Sequence, residues 1–170
     1  MVRFVAFLRA VNVGGTGKLP MNDLVQLCID AGFEDVQTYV ASGNVVFASD
    51  LQKDQAKTAL EASLEAYAGR PVPVFIRTGL ELSRILDANP FPDKPGNRTM
   101  VVFLDGTPPK ETLEQATGLK TEEVRLGKRE LYIHYGEGMG QSKLKIPAAQ
   151  SGTARNMNTV SKLVKMALKN

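Results

Sequence analysis

Three short blocks of this sequence carry polar side chains in patterns suited to recognising an anion. The first is Arg9 and Asn12 followed by Gly14-Gly15-Thr16-Gly17-Lys18, the second is Ser42-Gly43-Asn44, and the third is Arg155-Asn156. Arginine presents a rigid five-donor fork that matches carboxylate or phosphate. A glycine-rich stretch between a strand and a helix exposes backbone N–H groups to the same kind of ligand. The first block departs from the nucleotide-binding patterns. A phosphate-binding loop of the triphosphatase type needs glycine at position 12 and Ser or Thr after the lysine, where the chain has Asn12 and Leu19. The dinucleotide fingerprint needs glycine at position 20, where Pro20 stands. What remains is an anion-binding loop or a turn.

Nucleophile and base chemistry find less support. Ser42 joins two strands and lacks the Gly-x-Ser-x-Gly surroundings of a hydrolase elbow, so it reads first as a turn residue beside a glycine of positive φ. His134 is the sole histidine, on a strand, with no orienting acid identifiable in sequence. Cys28 is the sole cysteine and falls on the apolar stripe of a helix, which makes it a small core residue. One cysteine and one histidine exclude a disulfide framework and a Cys/His zinc site within the chain, and the acids form no calcium-loop pattern. No metal and no cofactor are expected.

The elements that must hold these blocks follow from periodicity. Val2–Leu8 reads as a central strand. Leu24, Leu27, Cys28 and Ala31 recur at helical spacing and Gly32 stops the helix. The β-rich runs 37–41 and 44–48 flank Ser42-Gly43 as a hairpin. Ser49 with Gln52 suggests a capping box for a helix running to about Tyr67, closed by Gly69, and 72–77 is a fourth strand. This β-α-β-β-α-β order is the ferredoxin-like unit. The second half echoes it: a short helix capped by Thr78 and Glu81, a strand over 99–104, a helix from Thr107-Pro108 to Gly118, and a hairpin of 122–126 with 130–135. A final helix is expected to be capped by Thr153, with Arg155 on its polar face and no obvious fourth strand before it. The expected fold class is α+β, two ferredoxin-like (α/β-plait) halves with antiparallel sheets, residues 1–77 and 78–170, related by duplication. In such a unit the loop after the first strand and the hairpin share one sheet end, so Arg9, Asn12, Lys18, Ser42 and Asn44 should converge. RNA-recognition motifs share this order, but their third strand needs several aromatics where Ser42–Phe47 offers one.

Composition frames the partners. Of 170 residues, 43% are apolar and 23% charged, a globular balance. The early apolar run Phe4–Leu8 is too short for a signal-peptide core or a membrane span, so a soluble, cytoplasmic protein without membrane partners is expected. The net charge of +3 hides an asymmetry. Residues 1–20 and 138–170 hold only basic charges, and the acids all lie between. Basic ends favour an anionic partner. Lys162, Lys165 and Lys169 together with Arg155 would support weak, salt-sensitive nucleic-acid binding.

The stretches Phe7-Leu8-Arg9-Ala10-Val11-Asn12-Val13-Gly14-Gly15, Tyr39–Phe47 around Ser42-Gly43-Asn44, and Thr153-Ala154-Arg155-Asn156 with Asn158-Thr159-Val160 resemble a bacterial family of uncharacterised proteins, domain of unknown function 1697. The resemblance spans nearly the whole chain and implies two ferredoxin-like halves in a bacterial cytosolic protein, with no established activity, substrate or cofactor. The chain departs from it at Met157, where the pattern has tryptophan, and in a shorter stretch before Thr153. Together these readings point to binding of an anionic ligand, a phosphorylated metabolite or nucleic-acid backbone, near Arg9, Asn12, Gly14, Gly15, Lys18, Ser42, Asn44, Arg155 and Asn156. Two alternatives use the same residues. In a metal-free transferase or hydrolase, arginine and asparagine would steady developing negative charge. In a structural or interaction module, the polar blocks would only fasten the two lobes.

Overall fold

The computed structural model describes residues 1–12, 18–40 and 42–169. The chain divides into two compact units, one of Met1–Arg84 with the C-terminal stretch from Lys162, the other of Ile85–Ser161. The first unit begins β1 (Val2–Leu8), α1 (Met21–Asp30), β2 (Glu34–Thr38), β3 (Asn44–Ser49), α2 (Lys53–Ala68) and β4 (Val74–Thr78). Its sheet is antiparallel in the order β2-β3-β1-β4, so β1 is central as its unbroken apolar run requires. Phe4, Ala6 and Leu8 join Val45, Phe47 and Ile76 on one face, packed with Leu24 and Cys28 of α1 and Ala56, Leu60 and Leu64 of α2. Phe33 stacks on Phe47 at 4.1 Å between ring centroids, filling the space where α1 turns back into β2.

The chain passes from β4 through α3 (Gly79–Asp87) into the second unit, which holds β5 (Thr99–Phe103), β6 (Glu123–Leu126), β7 (Glu130–His134) and β8 (Thr153–Asn156) and opens α4 (Met157–Leu168). The second sheet repeats the first in the order β6-β7-β5-β8. The repetition extends to register. Val5 faces Arg77 and Phe4 faces Thr78 across β1 and β4, while Val101 faces Arg155 and Met100 faces Asn156 across β5 and β8. Thr78 and Asn156 then each cap the helix that follows. Thr78 Oγ1 accepts the Glu81 N–H and the Glu81 carboxylate accepts the Thr78 N–H; Asn156 Oδ1 accepts the Thr159 N–H at 2.9 Å. These are two similar α+β halves, each ending in a buried arginine, a capping residue and a helix.

Three expectations need correction. Thr153–Asn156 is the fourth strand, not the cap of the last helix, and Arg155 lies on that strand instead of on a helix face. Its burial alternates, with Thr153 and Arg155 inward and Ala154 outward. A strand whose inward residues are threonine and arginine shows no hydrophobic alternation. The stretch after Thr107 forms turns rather than a helix. Pro108 and Pro109 remove two donors, Thr112 Oγ1 donates to the Pro109 carbonyl at 2.6 Å, and Leu113 is 46% exposed, so no apolar stripe rewards a helix. At α2 the capping residue is Gln52, paired reciprocally with Gln55, while Ser49 Oγ accepts the Leu51 N–H one turn earlier.

Candidate functional site

The sheet register decides which polar residues meet. Phe7 pairs with Asn44 and Leu8 with Val74, so the exit of β1, the β2–β3 turn and the start of β4 share one end of the first sheet. Two backbone bonds tie them: the Leu8 N–H donates to Gly43 O at 2.9 Å and the Arg9 N–H to Pro73 O at 3.0 Å. Gly43 has φ +89°, and a Cβ there would sit 2.6 Å from Val11 Cγ2, so the turn tolerates no side chain at that point. Ala10, Asn12 and Val40, at the same end, all have φ between 52° and 57°. Non-glycine residues held in that region, a β-branched valine above all, store backbone strain of the kind that gathers at binding sites.

The predicted residues at this end divide by what they do. Asn12 clamps its loop: Nδ2 donates to Leu19 O at 2.9 Å while Oδ1 accepts the Leu19 N–H at 2.6 Å. Asn44 is fully buried and its amide donates to Tyr39 O and to Ser42 Oγ, closing the hairpin turn. Ser42 is exposed, with Asn44 as donor to its hydroxyl. Arg9 is half-buried and Lys18 exposed. Gly14 and Gly15 lie outside the described residues. Arg155 and Asn156 belong to the second unit. There Arg155 is buried, its Nη1 donating to Thr153 Oγ1 at 2.7 Å and to Ala154 O at 2.9 Å, and burial brings its guanidinium down to about 10. It therefore stays charged at neutral pH. Asn156 works as the helix cap already described.

Beside Lys18 the surface falls into a depression of about 280 Å³. Val11 and Leu19 line it from the loop side, Leu64, Tyr67 and Ala68 from the last turns of α2, and Arg70 and Val72 from the chain leading to β4. Next to it α1 starts without a side-chain cap, at Pro20. Tyr67 donates its hydroxyl to Asp23 Oδ2 at 2.6 Å, and that bond to a carboxylate raises the phenol above its ordinary value. Arg70 and Tyr67 were not among the residues expected from sequence. The topology carried the signal, because a residue between the stop of α2 at Gly69 and β4 must reach the end where β1 exits. Arg70 also stands near the carboxyl end of α2, where a cation complements the helix dipole.

Thr99 Oγ1 and His134 Nδ1 lie 3.1 Å apart, both buried, with the Phe91 ring 5.8 Å from the imidazole. Glu122 accepts from the Lys120 N–H and the Ser142 hydroxyl, which lowers its carboxyl and ties two loops together. Cys28 is buried, its thiol pushed up to about 12. Among the described residues no group of three or more His, Cys, Asp or Glu is placed to hold a metal ion, and no helix is long and apolar enough to cross a membrane.

A family model described as "Protein of unknown function (DUF1697)" matches residues 1–132. Among solved structures, the chain is similar to the conserved bacterial protein SP0830 from Streptococcus pneumoniae, with a TM-score of 0.81 and 25% identity over 98% of each chain. No curated protein matches.

Proposed function

The chain belongs to the DUF1697 family of proteins of unknown function, and for it we propose binding of an anionic ligand of phosphate-type chemistry at the exit of β1 in the first unit. The observation that carries this reading is the depression bordered by Lys18 and Arg70 beside the uncapped start of α1. Two cations supply the charge that a phosphate or carboxylate needs, and α1 is entered through Pro20, next in the chain to Leu19 of the lining. Arg9 leaves β1 at the same end. Asn12 and Asn44 serve the reading indirectly, by holding the loop and the turn in place. The strained residues Ala10, Asn12 and Val40 support it further, since strain persists where surrounding contacts over-determine a geometry that function uses.

The test is thermal unfolding in rising inorganic phosphate at constant ionic strength. A ligand specific to the native state adds about 1.4 kcal/mol at tenfold excess over its Kd. The melting temperature should rise for the unaltered chain and stay flat for Lys18→Ala with Arg70→Ala. Equal behaviour of the two proteins contradicts the reading and leaves loop fastening as the role of the polar blocks.

A further inference from the structure

We infer that residues 137–151 form a strap that opens as one piece while the second sheet stays folded, baring the apolar face of β5 and β7. The duplicated register shows what the strap replaces. Val102, Ile133 and Ala154 take the places of Ala6, Phe47 and Ile76 across the equivalent strand pairs. In the first unit that face packs with α2, a 16-residue helix with a capping box that buries Ala56, Leu60 and Leu64. A helical cover satisfies its own backbone and presents a whole apolar face at once. The equivalent connection, from β7 to β8, holds only a 3-10 segment at Pro147–Ala149. Of residues 137–151 Ile146 alone is buried, with Leu144, Ala148 and Ala149 packed partly buried beside it. Strap and sheet meet around a depression of about 200 Å³ that Val102, Ile133, Leu144, Ile146 and Ala154 help to line. Atoms that face such a space lose the dispersion contacts of a closed core.

Two polar ties at the middle of the strap end on the connection between β5 and β6, itself built of turns. Thr117 and Lys145 exchange backbone bonds of 2.9 and 2.8 Å. The Ser142 hydroxyl donates to Glu122 Oε2 at 2.7 Å and accepts the Leu144 N–H at 3.2 Å, joining the strap's own backbone to the tie. The ends differ. A Cβ on Gly152 would lie 2.5 Å from Phe103 O, so the chain there is pressed against β5. Gly138, near the other end, has φ +89°, and a Cβ on it or on Gly140 would meet nothing within 4 Å. A segment with little buried apolar surface, held at its middle by a few bonds, opens at lower free energy than the sheet beneath it.

The test is native-state hydrogen exchange of the full chain, followed by NMR as denaturant rises below the unfolding transition. The Lys145 and Ala149 amides should share one protection factor, at least about a hundredfold below that of the β5 amides and nearly independent of denaturant. Ser142→Ala should speed the Lys145 amide about tenfold. Thr153→Ala, acting through Arg155 on the other face of the sheet, should speed the β5 amides and leave Lys145 unchanged. If the Lys145 and β5 amides exchange at one rate with one denaturant dependence, the strap unfolds only with the sheet and the inference fails. Widely different protection at Lys145 and Ala149 means separate fraying and overturns it too. So does a Lys145 amide that answers Thr153→Ala as strongly as β5 does.

Discussion

Half-buried Asn12 and buried Asn44 and Glu130 show how polar side chains divide their work. Each binds backbone or a turn residue nearby: Asn12 at Leu19, Asn44 at Tyr39 and Ser42, Glu130 at the Lys128 N–H. Asn44 opens β3 and Glu130 opens β7, so the two halves fasten equivalent hairpins with different chemistry. Asn12→Ala removes both bonds to Leu19 and should lower stability by about 1–3 kcal/mol, read from denaturant unfolding. Cys28 gives a pH prediction. Its folded-state value of about 12 lies above the ordinary 9.0, so between these values the unfolded chain has lost a proton that the folded chain keeps. Stability from this group is intact below pH 9 and falls by about 1.4 kcal/mol per pH unit above it. Cys28→Ala should flatten that slope in alkaline unfolding curves, and an unchanged slope would contradict the assignment. At this scale the sequence revealed the turn role of Ser42-Gly43-Asn44 and the core role of Cys28, because both follow from local residue type. It did not reveal Tyr67 and Arg70, whose importance depends on a depression formed by residues distant in sequence.

Elements were legible wherever apolar residues set the period or a glycine stop or polar cap marked an end. The central β1, the stop of α1 at Gly32, the end of α2 at Gly69 and the box at Thr78 and Glu81 all follow from such signals. The strand β8 was hidden because its inward residues are polar. A comparison of Arg77-Thr78 with Arg155-Asn156 would have exposed it: Leu82-Ser83-Arg84-Ile85-Leu86 and Val160-Ser161-Lys162-Leu163-Val164 follow at the same offset. Asn156→Ala should cost about 0.5–2 kcal/mol as loss of the α4 cap. Thr153→Ala acts through Arg155, removing the hydroxyl that its buried guanidinium uses; hydrogen bonds to charged groups contribute about 1.5–3 kcal/mol. Thermal unfolding of the two variants checks both. If Thr153→Ala is harmless while Asn156→Ala is not, the Arg155 bond contributes nothing to stability. Its place on β8 also sets Arg155 apart from Lys162 and Lys165 of α4 and Lys169 just beyond it. Lys162, Lys165 and Lys169 are exposed and Arg155 is buried, so of these four cations the lysines are the ones open to a nucleic-acid phosphate. Charge reversal of those lysines should abolish such binding in a filter assay, with Arg155 untouched.

For the molecule as a whole, the duplicated sheet order makes the difference between the halves informative. The first unit covers one face of its sheet with α1 and α2, whereas in the second the connections from β5 to β6 and from β7 to β8 contain turns and a short 3-10 segment at Pro147–Ala149. Only the first unit carries a helix after its first strand, and with it the combination of a helix start, Lys18 and the last turn of α2 from which the proposed site is built. Ferredoxin-like order was readable from the succession of periods, and it brought the exit of β1 to the hairpin turn. The side chains bordering the depression, however, needed the packed structure. The central claim is that this one place binds an anion. Amide resonances followed by NMR during titration with inorganic phosphate, to tens of millimolar at constant ionic strength, test it most directly. The account predicts saturable shifts confined to Lys18–Met21 and Tyr67–Val72, abolished by Lys18→Ala with Arg70→Ala; shifts that never saturate, or that centre on the lysines of α4, would contradict it.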